Sequence, residues 1–135
     1  MKEQLVSFKV AKLAKEKGFN YAYEFYDKDG KLEEFGMVSG WCNSTDENYP
    51  APTQSLLQKW LREEHNIHIV IDVAYNGKGI LEGYCHVVYG NATKKMDVLL
   101  AYIEEPWFVD IYEDALEAGL EKALKLIDNG DKNKV

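Results

Sequence analysis

Three histidines and two cysteines are the side chains of this chain best suited to bind a metal ion. His65, His68 and His86 could supply imidazole ligands, and Cys42 or Cys85 a thiolate. His68 and His86 fall on neighbouring predicted strands, but both alternate away from the most apolar strand face, as partly exposed strand residues do. Neither a His-Glu-x-x-His helix nor a Cys-x-x-Cys pair occurs. We therefore expect no metal site and no cofactor.

Nucleophilic catalysis by cysteine would need a histidine base and a group that orients the base. Cys85 adjoins His86, but neighbouring residues of a strand point to opposite faces and cannot cooperate directly. Cys42 lies in a predicted loop, and nothing near it in sequence marks it as reactive. Paired carboxylates fall at exposed or edge positions, and no phosphate loop, nucleophile elbow or kinase motif is present. We predict that the protein is not an enzyme and has no catalytic residues.

The segment Asp27–Gly30 begins like a calcium-binding loop of the EF-hand type. Such a loop needs glycine at its sixth position and glutamate at its twelfth. Counted from Asp27, these positions hold Leu32 and Val38. We therefore predict a tight turn that joins two strands, over 20–26 and 32–38.

Hydrophobic spacing predicts the other elements. A first helix is expected over Phe8–Lys17, with Ser7 as its N-cap and Gly18 as its stop. Residues 39–52 are rich in Gly, Asn, Ser and Pro and are expected to be irregular. The second helix begins after its N-cap Thr53 and ends at Asn66, with Trp60 in the core. Strands follow over 67–75, 80–89 and near 97–104, with 107–109 as an extension or connector. The last helix starts at a capping box of Asp110 and Glu113.

This pattern favours a single α+β domain over residues 1–135, with a frayed tail at about 128–135. We expect one antiparallel sheet of about five strands with two or three helices packed on it, in the order α-β-β-α-β-β-β-α. The formal net charge of −7 and the hydrophobic fraction of 46% are typical of soluble proteins. The first residues lack a signal-peptide pattern and no apolar run is long enough for a membrane helix, so we expect a cytoplasmic protein with free thiols and no membrane partner.

The order helix, three strands, helix from Thr53 to Ile127 matches the topology of double-stranded-RNA-binding domains. Residues 52–135 hold nine Lys and Arg against fourteen Asp and Glu, and Lys94 with Lys95 is the single basic pair nearby. The last helix carries carboxylates where such a domain offers lysines to phosphate. A nucleic-acid-associated protein is therefore the alternative to the function that we favour, and the acidic charge argues against nucleic acid as a partner.

The favoured function is a non-enzymatic module that binds another protein or a second copy of itself. Trp41, Tyr49 and Trp107 are the expected contact residues, because exposed aromatic side chains anchor interfaces more often than other residues do. The competing interpretation is that Trp41 and Tyr49 only pack the loop onto the sheet.

Four segments also carry a resemblance: Ala51–Gln54, Lys59–Glu63, Ile67–Ile69 and Tyr112–Leu120. Together they resemble a group of small uncharacterised proteins encoded by phages and prophages of gut Bacteroidetes. The resemblance covers most of the chain. It implies a phage or mobile-element gene expressed in a bacterial cytoplasm, and it implies no activity and no catalytic residues.

Overall fold

A computed structural model describes residues 2–21, 24–34, 48–90 and 108–127. The elements in chain order are α1 (Phe8–Glu16), β1 (Glu24–Tyr26), β2 (Leu32–Glu34), β3 (Tyr49–Pro50), α2 (Gln54–His65), β4 (Ile67–Tyr75), β5 (Leu81–Gly90) and α3 (Tyr112–Leu126). The predicted α+β class with antiparallel strands is confirmed. The strand predicted near 97–104 and the frayed tail lie outside the described residues.

The prediction of one sheet of about five strands is wrong. The described strands form two sheets, one in the order β2-β1-β3 and one in which β4 pairs with β5. β3, at the end of the segment predicted to be irregular, has only two residues, because Pro50 has no N–H to donate and Pro52 leads directly into α2. The two long strands, β4 and β5, follow α2 in the chain and pair with each other as a separate hairpin.

α2 also shields the outer edge of β4. Alternate residues of an antiparallel strand direct their N–H and C=O groups away from the paired strand. The carbonyl oxygen of Ile69 accepts a hydrogen bond from Gln58 Nε2 at 2.9 Å, and the N–H of Val73 donates to its neighbour Asp72 at 2.8 Å. These two side chains occupy positions through which β4 would otherwise join another strand.

The predicted ends of α1 and α2 are confirmed. Ser7 Oγ accepts from the N–H of Val10 at 3.2 Å, and Thr53 Oγ1 accepts from the N–H of Leu56 at 3.2 Å. Asn66 adopts a left-handed conformation with φ 53°, so one residue turns the chain from α2 into β4.

The predicted capping box of α3 is wrong. The N-cap is Ile111, which makes no side-chain hydrogen bond to the helix. Its carbonyl oxygen accepts from the N–H groups of Asp114 and Ala115, and the carbonyl of Glu113 accepts from Gln54 Nε2 at 2.9 Å. Glu113 and Asp114 still place negative charge in the first turn, where the helix dipole favours it.

α3 lies closely on the β4–β5 hairpin at Gly119. A Cβ atom at this position would come within 2.9 Å of Ile69 Cγ2 and 3.1 Å of His86 Cβ. The core around this contact joins α1, α2, α3 and both hairpin strands, and its members include Val10, Phe19, Leu57, Leu61, Ile69, Val88, Leu120 and Leu124. Trp60, predicted to be in the core, is half-buried and stands edge-on to Phe19 with centroids 5.3 Å apart.

A polar junction that the sequence did not indicate joins the three helices. Glu117 of α3 accepts hydrogen bonds from the N–H of Ser7 at 2.9 Å and from Gln54 Nε2 at 3.0 Å. Gln54 is 4% exposed, and its amide nitrogen is satisfied because Nε2 donates to α3 in two places. The junction fixes α3 relative to the N-termini of the other two helices.

Candidate functional site

The β4–β5 hairpin extends beyond the helix that covers it. Nine residues of β4 span about 30 Å, whereas the fifteen residues of α3 span about 22 Å. α3 meets the hairpin at Gly119 and again at its first turn, where Tyr112 stands edge-on to Tyr84 with ring centroids 5.6 Å apart. Beyond Tyr84 the hairpin continues through three more residues of β5 to its turn, and no helix of the described ranges lies above that part.

Six large apolar side chains are exposed around this end of the hairpin, and we call them the hairpin patch: Val73 (42% exposed), Tyr75 (58%), Ile80 (60%), Leu81 (46%), Ile111 (53%) and Tyr112 (45%). The pairing register brings Tyr75 opposite Leu81 and Val73 opposite Tyr84. The ring contact between Tyr84 and Tyr112 connects the hairpin residues with the start of α3. The patch therefore draws on two parts of the chain, the turn end of the hairpin and the start of α3, with Tyr84 between Val73 and Tyr112.

Gly83 permits this assembly. Val109 exchanges two backbone hydrogen bonds with Tyr84, at 2.7 and 2.8 Å, and so brings the start of α3 to the edge of β5. A Cβ atom at Gly83 would lie 2.5 Å from the carbonyl oxygen of Val109 and 2.7 Å from the ring of Phe108. Only glycine leaves space for so close an approach of the backbone. Residue 109 thus extends the sheet by one bridge, within the segment predicted as an extension or connector.

The turn of the hairpin is held by its own polar groups. Asn76 Oδ1 accepts from the N–H groups of Lys78 and Ile80 at 2.8 and 3.1 Å, and Gly79 adopts φ +76°. The N–H of Asn76 donates to the carbonyl oxygen of Ile80 at 2.9 Å. An Asn side chain that bonds its own turn in this way fixes the turn, so Ile80 is presented in a defined position.

Charged side chains next to the patch are mostly acidic. Three exposed carboxylates, which we call the acidic rim, lie within two positions of a patch residue in the sequence: Glu82, Asp110 and Asp114. Asp72 also precedes a patch residue, but it pairs with Cys85 on the opposite face of the hairpin. Among the described residues, Lys78 in the turn is the one cation that lies close to these carboxylates in the sequence. The surroundings of the patch therefore carry a net negative charge, in keeping with the −7 of the whole chain.

Tyr49, the predicted contact residue that lies within the described residues, is half-buried. Its ring stands edge-on to Phe8 at 5.5 Å, and Lys15 Nζ lies 5.0 Å from its centroid while donating to the carbonyl oxygen of Asn48 at 2.7 Å. Lys12 lies 5.9 Å away on the same ring, beside a surface cavity of about 380 Å³. Tyr49 thus packs β3 onto α1 while its neighbouring lysines face the cavity. Trp41 and Trp107 lie outside the described residues.

The structure separates the three histidines. His65 stands edge-on to Trp60 at 4.7 Å, and His68 is exposed with its Nε2 3.0 Å from Asn66 Oδ1. His86 pairs with Ile71 on the strand face that α3 covers, so the prediction that it points away from the apolar face is wrong. Within residues 2–21, 24–34, 48–90 and 108–127, no three His, Cys, Asp or Glu side chains form a group that could hold a metal ion.

Cys85 is a half-buried free thiol on the opposite strand face from His86. Burial raises the pKa of this thiol, and the carboxylate of Asp72 on the paired strand raises it further. A raised pKa keeps the sulfur protonated at neutral pH, where only the thiolate is a strong nucleophile. Cys42 lies outside the described residues.

Asp27 is engaged by the turn that it begins, and the predicted hairpin of β1 and β2 is confirmed. Its Oδ1 accepts from the N–H groups of Asp29 and Lys31 at 2.8 and 2.9 Å. These bonds, that of Lys31 first, lower the pKa of the Asp27 carboxyl. Asp27 Oδ1 therefore holds the turn itself, as the sequence predicted for this segment.

Two carboxylates of α3, Glu117 and Glu121, also have structural partners. Glu121 bonds Lys9 at 2.8 Å and Lys125 at 3.2 Å, and the bond from Lys9 is the main reason that the pKa of Glu121 is lowered. Together with Glu117 at the helix junction, two of the carboxylates on α3 therefore bond to other parts of the described chain. Lys94 and Lys95, the basic pair of the nucleic-acid alternative, lie outside the described residues.

Comparisons with protein-family models, with curated proteins and with solved structures found no match to the chain. Among the helices of the described ranges, none combines the length and the apolar character that crossing a membrane requires. Function must therefore be argued from the site itself.

The residues of the hairpin patch were not among the predicted contact residues. A signal for them was present in the sequence. The nine alternating residues from Ile67 to Tyr75 make a strand longer than the last helix, and Ile80 and Leu81 directly follow the turn. The lengths of the strands alone do not say at which end the uncovered part lies. Only the contact of α3 with Ile69 and His86 settles that point.

Proposed function

We propose that this protein is a non-enzymatic protein-binding module whose partner docks on the hairpin patch. The observation that carries the proposal is the patch itself, in which six large apolar side chains, each more than 40% exposed, lie around the turn end of the hairpin and the start of α3. Strand register pairs Tyr75 with Leu81, and Tyr84 lies between Val73 and Tyr112. Single exposed apolar residues are common on soluble proteins, whereas continuous apolar surfaces mark interaction sites.

The construction of the patch supports binding as well. The Asn76 side chain fixes the turn, and the bridge between Tyr84 and Val109 fixes the start of α3. A surface that is ordered before its partner arrives loses little conformational entropy on binding. At the same time Gln58 and Asp72 shield the edge of β4. The partner in this proposal therefore contacts side chains and does not add a strand to that edge.

The proposal is tested by capture from a bacterial lysate with matched baits. The patch variant Tyr75→Ser/Ile80→Ser removes two apolar side chains, and the control variant Tyr21→Ser/Leu32→Ser removes two that are 58% and 41% exposed elsewhere on the surface. We expect a protein that the wild type and the control retain and the patch variant loses, with nuclease treatment making no difference. Far-UV circular dichroism and thermal melts check that both variants fold.

Equal capture by all three baits would refute the role of the patch. Capture that nuclease abolishes would favour the nucleic-acid alternative, for which charge reversal of Lys94 and Lys95 is the direct test. The predicted contact residues Trp41 and Trp107 are tested in the same assay by alanine variants. Loss of capture with those variants and not with the patch variant would move the interface to the loops that hold them.

A further inference from the structure

We infer that the hairpin patch binds a basic amphipathic segment of a partner protein, one whose apolar side chains are bordered by Lys and Arg. This inference rests on the proposed function and specifies the partner's chemistry. It starts from the acidic rim, because an interface is specific when the charges around its apolar centre are complementary to those of the partner.

The rim carries three carboxylates against one nearby lysine, Lys78. Glu82 follows Leu81 directly, Asp110 precedes Ile111, and Asp114 lies in the first turn of α3 two positions after Tyr112. Each of these side chains is exposed, so each can approach a cation of the partner while the apolar side chains are buried. The chain's net charge of −7 adds a long-range attraction for basic partners, which raises the rate of association.

The same charges disfavour other occupants. A second copy would bring one acidic rim against another, and like charges across an interface oppose association. Anionic lipid surfaces and nucleic-acid backbones would be repelled in the same way. A partner segment with apolar side chains and flanking Lys or Arg satisfies both the patch and the rim.

The test uses two synthetic helical peptides of about 18 residues, or five turns, one of Leu and Lys and one of Leu and Glu, with Leu at helical spacing. The rim variant Glu82→Gln/Asp110→Asn/Asp114→Asn is compared with a remote variant, Glu16→Gln/Glu63→Gln/Glu64→Gln. Both variants remove three negative charges, so both change the net charge from −7 to −4. Dissociation constants are measured by fluorescence anisotropy at about 50 mM salt, where surface charges are weakly screened.

We expect the Leu/Lys peptide to bind the wild type and the Leu/Glu peptide to bind far more weakly. The rim variant should bind the Leu/Lys peptide about tenfold more weakly than the wild type, and the remote variant within about twofold of it. The patch variant Tyr75→Ser/Ile80→Ser should lose affinity to at least the same degree as the rim variant. This pattern requires both the apolar side chains and the nearby carboxylates.

Three outcomes overturn the inference. Equal losses in the rim and remote variants would reduce the binding to net charge alone, and equal affinity for the two peptides would remove the role of charge. Sedimentation that shows a dimer of the wild type, dissociated in the patch variant, would assign the patch to a second copy. Each of these outcomes leaves the proposed function standing if the lysate capture still depends on the patch, so the two failures are distinguishable.

Discussion

Replacing Gly119 with alanine tests how closely α3 lies on the hairpin, the contact that leaves the patch uncovered. Two effects of opposite sign compete. Alanine in a helix interior is favoured over glycine by about 0.8–1.0 kcal/mol. The added methyl group would however lie 2.9 Å from Ile69 Cγ2 and 3.1 Å from His86 Cβ, and overpacking of this kind costs about 1–3 kcal/mol.

The clash is expected to dominate, because neither neighbour can move freely. Ile69 is 6% exposed and belongs to the core, and the Cβ of His86 is fixed by the backbone of β5. We expect Gly119→Ala to lower the free energy of unfolding by about 1 kcal/mol. For a chain of this size that loss corresponds to a decrease in Tm of about 4 °C.

The assay is urea unfolding followed by circular dichroism, with Ala118→Gly as the propensity control. Ala118 is exposed on the same helix, so its replacement should cost about 1 kcal/mol through propensity alone. Combining Gly119→Ala with Ile69→Ala should give a favourable coupling energy, since the truncation opens room for the new methyl group. An increase in stability of about 1 kcal/mol in Gly119→Ala would refute the close packing and with it the position of α3.

Three further predictions follow from the described contacts. Gly83→Ala should weaken the bridge to Val109, and hydrogen exchange should show faster exchange of the Val109 amide, whereas unchanged protection would contradict the close approach at Gly83. The stabilising contribution of Glu121 should be present above its unfolded pKa of about 4.5 and be lost as pH falls through its lowered folded pKa. The difference in the free energy of unfolding between wild type and Glu121→Gln should therefore shrink towards zero in acid, and a difference that grows in acid would contradict this prediction. In a protein whose other cysteine is replaced by serine, the thiol of Cys85 should react with iodoacetamide more slowly than a model thiol at pH 8, because burial raises its pKa.

Local signals in the sequence predicted the helices and the hairpins well. Ser7, Thr53 and Asn66 stand where helix ends require such residues, and each fulfils the expected role. The number of sheets was not predictable in the same way, because it depends on how α2 lies beside β4 and on how little of the chain β3 contributes. Both are tertiary relations between distant segments.

The capping of α3 shows why local patterns can mislead. Asp110 and Glu113 have the spacing of a capping box, yet the helix starts one residue later, where Ile111 follows the bridge that fixes Val109 to β5. A contact made with a strand more than twenty residues earlier decides the start of the helix. The hairpin patch has the same origin, since its two parts meet where that bridge brings the start of α3 to the edge of β5.

Both ends of α1 are bonded to residues far later in the chain. The N–H of Ser7 donates to Glu117, and Lys17 Nζ donates to the carbonyl oxygen of Ile127 at 2.8 Å, each across 110 positions. A helix of nine residues is marginal on its own. During synthesis these two bonds of α1 can form only after α3 has been made, while the β4–β5 hairpin can form from adjacent segments. A ribosome stalled before α3 would hold a hairpin whose Ile69 lacks the cover that Gly119 of α3 provides, a substrate for chaperones and proteases.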